Sequence, residues 1–330
     1  MSETGTDLSA LLQAIEAAEG AVRELFPPTP LELSPVLSQQ LGCEVLLKCE
    51  HLAPTGSFKI RGALNKIRLL TEEQRRRGVV TASTGNHGQG VALAAARAGV
   101  AATVYASTEA SPAKLAAIRA RGAELVLLEA DSLAVELEAR RVAEVSGRVY
   151  ISPYNDLDVI AGQGTIVLEL SRQAEDLDAV FVGTGGGGLV SGIGAALRML
   201  SPRTRVAACW PRNSAALLRA MEAGEVVDYE ELPTLSDATA GAVEPRAVTI
   251  PLARQVVDDT FEVEEADIAR ALRDLAASDH WIVEGSAALA LAGLAVNRER
   301  FQGRRVAVIL CGRNIALERF LGAIERGVGV

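Results

Sequence analysis

"VVTASTGNHGQGVALAAARAG", Val79 to Gly99, is the stretch on which the fold turns. Its opening "VVTAS" reads as a short buried strand. A polar turn follows, and "GQGVALAAARAG" has the apolar spacing of a helix. A strand that passes through a glycine turn directly into a helix is half of a crossover between parallel strands.

The same alternation continues outward. Strand "AATVYAS" precedes helix "SPAKLAAIRARG", strand "AELVLLE" precedes helix "SLAVELEARRVAEVSG", and "RVYIS" closes the series. Later "DAVFVGTG" leads into "GGLVSGIGAALRML", "TRVAACW" into "SAALLRAMEAG", and "RRVAVILCG" into "ALERFLGAIERG". Strands separated by single helices predict α/β architecture, with parallel sheets covered by helices on both faces. In open sheets of this kind ligands sit beyond the carboxyl ends of the strands. Between Glu230 and Pro251 the pattern breaks into "ELPTLSDATAGAVEPRAVTIP", which reads as a loop-rich crossing segment, either a plain connection or a wall of a site. There is no internal repeat and no low-complexity tract.

Bulk properties set limits. A chain of 330 residues suggests about two domains at roughly 150 residues each. It is 49% hydrophobic, 23% charged and only 4% aromatic, so its core is built from aliphatic side chains. A net charge of −9 and the lack of any basic run beyond Arg75–Arg77 argue against nucleic-acid partners. Cys43, Cys49, Cys209 and Cys311 form no C-x-x-C pair, and three histidines offer no zinc spacing. The first residues lack a basic segment followed by an apolar one, so no signal peptide is expected. The greasiest region, "GVALAAARAGVAATVYA", is interrupted by Arg97 and falls short of a membrane span. A soluble, reduced, cytoplasmic protein without membrane partners is the expectation.

Three strand-to-helix junctions carry polar or glycine-rich sequence. In "GTGGGGLVSG", Gly185, Gly186, Gly187 and Gly188 leave backbone N–H groups unobstructed at a helix start, a cradle for a phosphate. Gly183, Gly185 and Gly188 also satisfy G-x-G-x-x-G, but a dinucleotide site needs an acid at the end of the next strand. That strand ends Cys209–Trp210, and the first acid beyond is Glu222. In "TASTGNHGQG", Ser83, Thr84, Asn86 and His87 surround a second helix start, suited to a carboxylate held by backbone N–H groups. Ordinary capping explains the same residues. His87 has no acidic partner nearby in sequence and is not expected to act as a base. In "VAVILCGRNI", Val306 to Leu310 reads as a buried parallel strand with Cys311 at its carboxyl end, as nucleophile, hydrogen-bond partner or small core residue.

Lys59 lies in "TGSFKIRGALNK", where Phe58, Ile60, Ala63, Leu64 and Ile67 mark a helix with one buried face and Ser57 is available as its N-cap. A cation in a first helical turn is disfavoured by about 0.3–1 kcal/mol. That position and burial both favour the neutral amine, which can form a Schiff base. A phosphate cradle, a tuned lysine and no metal spacing point together to pyridoxal 5'-phosphate. A lysine that merely snorkels at the surface is the bland reading of Lys59 alone.

"SFKIRGA", "STGNHGQG", "IAGQGTI", "GTGGGG" and "CGRN" occur in an order and at a spacing that resemble the fold-type II pyridoxal-phosphate enzymes, in the serine/threonine dehydratase and serine racemase branch. The likeness runs from about Thr29 past Asn314. It implies two open, mostly parallel twisted sheets flanked by helices, with the cofactor in the cleft between a large and a small domain. Residues 1–70 and 156–330 would form the large domain and 71–155 the small, substrate-closing one. It implies Lys59 as the Schiff-base lysine, Gly185 to Gly188 as the phosphate cradle, Phe58 against the cofactor ring and Asn86 on its 3'-hydroxyl. Cys311 would face the pyridine nitrogen, Glu284 would lie beside the ring, and Ser83, Thr84, Asn86 and His87 would receive the substrate carboxylate. The reaction implied is β-elimination: Lys59 removes the α-proton, the β-hydroxyl leaves, and a 2-oxo acid and ammonia result.

The sequence departs from that pattern in four places. Thr84 stands where racemases carry serine. Trp210, Ala215 and Ala216 stand where metal-using relatives have acids, so no divalent cation is expected. Arg313 replaces a glycine. "LSDATAGAVEP" and "VEGSAA" diverge from the usual dehydratase forms, leaving the pocket for the β-substituent open. With the chain ending sixteen residues after Asn314, no regulatory module is expected, which favours a catabolic role. The leading expectation is an ammonia-lyase for threonine, serine or a bulkier β-hydroxy amino acid (3-hydroxyaspartate, phenylserine or a hydroxyectoine-derived compound). An amino-acid racemase using Lys59 and Thr84 is the alternative, and a homodimer is the implied assembly. A nicotinamide dehydrogenase would need an acid at Trp210, and a non-catalytic binding protein would have lost Lys59 or the cradle.

Overall fold

The computed structural model describes residues 5–130 and 132–326; the terminal residues included in the expected large domain lie outside these. Ten strands are present among the described residues: β1 (Leu31–Leu33), β2 (Glu44–Lys48), β3 (Val79–Ala82), β4 (Ala102–Ser107), β5 (Glu124–Leu128), β6 (Val149–Tyr150), β7 (Ala179–Gly183), β8 (Arg205–Pro211), β9 (Asp259–Val263) and β10 (Arg305–Ile309). They form two sheets, one ordered β1-β2-β10-β7-β8-β9 and one ordered β5-β4-β3-β6. Every pairing is parallel except β1 with β2. The mixed α/β architecture, two parallel-rich sheets flanked by helices, is therefore as the alternation predicts.

The strand orders locate the ligand site. In the larger sheet the chain steps outward from β7 to β8 to β9, then returns to insert β10 between β2 and β7. In the smaller sheet it steps from β3 to β4 to β5, then returns to place β6 on the other side of β3. Each reversal leaves a crevice at the carboxyl ends of the two strands beside it, because the connecting helices diverge to opposite faces. The crevices lie after Gly183 and Ile309 in one sheet, and after Ala82 and Tyr150 in the other.

The larger sheet packs its core with fully buried Val180, Phe181, Ile193, Leu289 and Val308. Helix Gly285–Val296 is apolar on every side and buried almost throughout, as a helix enclosed by the core should be. The Lys59–Arg68 helix lies between the Asn86–Arg97 and Leu157–Gln173 helices. Its Ile60, Ala63 and Ile67 share a core with Val79, Val91 and Val104 of the smaller sheet's layer. Gly90 approaches so closely that a Cβ there would lie 3.2 Å from the Lys59 carbonyl oxygen.

One expectation needs correcting. Ser57 does not cap the Lys59–Arg68 helix: the cap position is Phe58, and no side chain accepts a hydrogen bond there. Ser57 instead pairs with Gly312 through an isolated β-bridge, which commits its backbone to the strand-end region. Between the Ala216–Ala223 and Thr249–Val256 helices the chain has no regular element. Among the described residues no helix is long and apolar enough to cross a membrane.

Candidate active site

A cleft of about 350 Å³ opens where the two crevices face one another. Phe58, Lys59, Ser83, Thr84, Asn86, His87, Gly185 to Gly188, Glu284 and Cys311 all line it. Every candidate residue read from the sequence therefore meets at one place.

Lys59 enters at the first position of its helix, held there by the Ser57–Gly312 bridge and by Phe58 N–H donating to the Cys311 carbonyl at 3.1 Å. Its Nζ donates to the Pro153 carbonyl at 2.8 Å, just past β6, and lies 5.2 Å from the centre of the Phe58 ring. Burial pushes its ammonium down to about 8, against the opposing pull of Cys311 and Glu284. A substantial neutral-amine fraction therefore exists near physiological pH.

The loop after β7 supplies the donors. Among the described residues the amides of Gly185, Gly186 and Gly187 have no acceptor, and the Gly188–Leu200 helix begins immediately behind them. Such amides at a helix start favour an anion. Glycine is required there sterically: Gly187 has φ of +91°, and a Cβ on Gly186 would come within 2.6 Å of the Tyr154 ring. The Tyr154 hydroxyl in turn accepts from Glu244 N–H at 2.9 Å, tying the ring to the segment that crosses the cleft.

The loop after β3 forms the opposite lip. Ser83 Oγ accepts from Gly85 N–H at 3.1 Å, while the amides of Thr84, Asn86 and His87 have no acceptor among the described residues. With these residues lining the cleft, they make a second set of free donors there, suited to an anion such as a carboxylate. Asn86 is fixed at both ends: its Nδ2 donates to Glu284 Oε1 at 2.7 Å, and its Oδ1 accepts from Asn314 Nδ2 at 2.7 Å. Glu284 is pushed up to about 7 by burial and by Asp237. His87 Nε2 lies 3.0 Å from the Ile151 carbonyl, and burial holds the ring neutral, down to about 3. Among the described residues no acidic group is bonded to it. Cys311 is buried and its thiol is pushed well above the ordinary range, first by burial and then by Glu284, so it is a neutral thiol.

Lys114, Glu136, Tyr154 and Asp237 also line the cleft and were not singled out in the sequence. Each reaches it from a different segment, and none belongs to a glycine-rich junction that would have marked it. The irregular segment after the Ala216–Ala223 helix contributes Asp237 to Ala242, so it is a wall of the site rather than a plain connection. Trp210 is fully buried at the end of β8. Among the described residues no group of His, Cys, Asp and Glu is arranged to hold a metal ion.

Unpaired amides in a glycine turn and a lysine amine with a lowered pKa, about one cleft, fit a phosphorylated aldehyde. Residues 22–312 match the family described as pyridoxal-phosphate dependent enzyme. The chain is 38% identical over 318 residues to the L-threonine ammonia-lyase of Thermotoga maritima, covering 96% of this chain and 79% of that one. It is 36% identical over 315 residues to the L-threo-3-hydroxyaspartate ammonia-lyase of a Pseudomonas species, covering 96% and 97%. Among solved structures, the serine racemase of Dictyostelium discoideum superimposes with a TM-score of 0.86 at 33% identity, over 93% of this chain and 99% of that one.

Proposed function

The chain belongs to the pyridoxal-phosphate dependent enzymes, and from that premise we propose that it is an ammonia-lyase. It eliminates water from a β-hydroxy amino acid, threonine or serine, and yields a 2-oxo acid and ammonia. The observation that carries this reading is the Lys59 amine, its pKa lowered to about 8, in a cleft with two separate sets of unpaired amides. One set suits the cofactor's phosphate and the other an amino acid's carboxylate. Relatives of similar identity over nearly the whole chain are ammonia-lyases.

When bound, pyridoxal phosphate supplies an electron sink conjugated to the substrate nitrogen, which acidifies the Cα–H bond. The chain's own residues do the rest. Gly185, Gly186 and Gly187 would hold the phosphate through their amides. Thr84, Asn86 and His87 amides fix the α-carboxylate, so the Cα–H bond has a set direction. Lys59 Nζ takes the α-proton, for which its lowered pKa suits it near neutral pH. The Cβ–O bond then breaks as Cα=Cβ forms, hydroxide leaves as water with the proton that Lys59 has taken, and water adding to the released enamine gives the 2-oxo acid and ammonia. Asn86, clamped by Glu284 and Asn314, positions the ring without titrating. Phe58 would pack beside it, and the neutral Cys311 thiol would offer the cofactor no counter-charge.

A racemase is the second reading, favoured by the Thr84 hydroxyl, which opens onto the cleft and has no partner among the described residues. Two further proposals accompany the main one. Residues 1–70 with 156–330 act as the cofactor-holding body and 71–155 as the one that closes on substrate, in keeping with the separate sheets. The protein works as a cytoplasmic homodimer: its four cysteines are free, as in reducing compartments. Exposed Val36, Ile282, Leu317 and Leu321 offer apolar surface near neighbouring helices, and light scattering tests the mass.

The deciding experiment is the absorbance spectrum of the purified protein beside Lys59→Ala, with threonine and then serine added. A visible band that shifts in the variant, and that changes on substrate addition with release of a 2-oxo acid, supports the lyase. A protein that stays colourless after incubation with the cofactor overturns it. Release of the opposite enantiomer without a 2-oxo acid favours the racemase.

A further inference from the structure

Relatives named for threonine and for 3-hydroxyaspartate resemble this chain almost equally, yet those substrates differ by a whole charge. A second carboxylate next to the β-carbon needs a cation to receive it, because an unpaired buried charge is costly. The charges around the cleft bear directly on this. Among the described residues, its charged or chargeable lining side chains besides His87 are Lys59, Lys114, Glu136, Asp237 and Glu284, with Tyr105 and Tyr154 as phenols and Cys311 as a neutral thiol. Lys59 is assigned to the cofactor and Glu284 is bonded to Asn86. Lys114 Nζ is already paired with Asp237 Oδ2 at 2.9 Å, and Arg319 approaches the same oxygen at 3.3 Å.

On the side formed by the Ser132–Ser146 helix stands Glu136. Its Oε1 accepts from the Tyr150 hydroxyl at 3.2 Å. The nearest guanidinium, Arg140, is bonded to Glu244, lies 3.4 Å from Glu136 Oε1, and is stacked 4.2 Å from the Tyr150 ring centre. Two carboxylates, Glu136 and Glu244, thus share one arginine. The cleft has acidic groups on two sides and no uncommitted cation among its described lining residues.

We infer that Glu136 is a specificity-determining residue, which with the committed Lys114–Asp237 pair selects β-hydroxy amino acids that carry no second carboxylate. This rests on the lyase reading above and deepens it, by naming the side chain through which that site turns away a second carboxylate. The groups that face Glu136 are Arg140 on its own helix, Tyr150 on β6, and Glu244 of the crossing segment, with Tyr154 behind Glu244. Burial, and then Glu244, push Glu136 up to about 7, with Arg140 and Tyr150 opposing. Its negative charge, joined by that of Glu284, which is pushed up to the same range, therefore grows as pH rises through neutrality, and the discrimination with it.

The test uses the cofactor-loaded enzyme and 2-oxo acid release, with kcat/KM measured for L-threo-3-hydroxyaspartate and for L-threonine or L-serine, whichever turns over faster. The monocarboxylate is expected to be preferred by at least about tenfold at about pH 8.5, with a smaller ratio at about pH 6.5. Titration of Lys59 affects both substrates and divides out of that ratio. Glu136→Gln, which keeps shape and removes charge, is expected to lower the ratio about tenfold and to reduce its pH dependence to the share that Glu284 contributes. Asp237→Asn, which frees the Lys114 ammonium without touching the Glu136 helix, is expected to shift the ratio in the same direction. Should Glu136→Gln fail to fold, Asp237→Asn and the wild-type pH dependence still decide. Equal or better turnover of 3-hydroxyaspartate by wild type, or a ratio unmoved by either substitution, overturns the selectivity and leaves the lyase standing. No release of 2-oxo acid from any of these substrates overturns both.

Discussion

Lys59 is a cation that the fold disfavours. Its pKa is about 8 in the folded protein against 10.5 for an ordinary lysine, so between those values the folded state binds fewer protons than the unfolded chain. Stability of the cofactor-free protein therefore rises with pH across that window. Lys59→Met is expected to stabilise the cofactor-free protein by about 1–3 kcal/mol at neutral pH. The gap should close between pH 8 and 10.5, and urea titrations at several pH values check it. At Thr84 the hydroxyl separates the two proposed reactions. Thr84→Ala is expected to leave 2-oxo acid release within about threefold of wild type, while any enantiomer exchange seen by chiral chromatography should vanish. Lys59 was legible in the sequence because a lysine in a first helical turn conflicts with the helix dipole. Lys114, Glu136 and Asp237 were not, since a charged residue on a helix or loop reads as ordinary surface until the fold brings distant segments together.

At the scale of elements, the helix carrying Lys59 is anchored by buried charge. Arg61 donates twice to Glu50, at 2.7 and 2.8 Å, and once to Glu169 at 2.7 Å. Glu169 also accepts from Lys48 at 2.6 Å and pairs with Arg23. Lys48, Glu50 and Arg61 are fully buried and Glu169 nearly so, and the cations hold Glu169 down to about 2 despite its burial. Glu169→Gln leaves Lys48 and Arg61 partly unmatched, and should lower stability by about 3–5 kcal/mol in a thermal or urea melt. This network also shows why β2 escaped the sequence reading. "EVLLK" ends in a buried lysine whose partner is 121 residues away, and a charge at a strand end looks like a boundary. The strands with aliphatic runs, β3, β4, β5, β6, β7, β8 and β10, are plain from the sequence. Ser57 was misread as a cap because its tie to Gly312 depends on a segment some 250 residues later. The glycine turn after β7 was legible as a cradle, and it makes its own demand. Gly187→Ala would strain a residue at φ +91° and set its Cβ 2.6 Å from Leu217. Cofactor affinity, read by fluorescence titration, should fall at least about tenfold.

For the whole molecule, the two sheets meet at the cleft, and the Lys59–Arg68 helix joins them through the core it shares with the smaller sheet's layer. Arg140 and Asn155 bond to Glu244, and Lys114 to Asp237, all from the smaller sheet's side or its margin to the irregular crossing segment. Glu244→Ala removes two of these ties at once. Stability should fall by only about 1–2 kcal/mol, but hydrogen exchange at residues 237–244 should quicken, and KM should rise more than kcat falls. A mass-spectrometric exchange experiment beside steady-state kinetics distinguishes this from general loosening.

The close seating of Gly90 on the Lys59 carbonyl joins the two lips of the cleft to each other. A side chain at residue 90 would meet the backbone that carries the lysine at 3.2 Å, pressing the two helix starts apart. The spacing between the lysine and the polar turn opposite it is thus kept by the absence of a single methyl group.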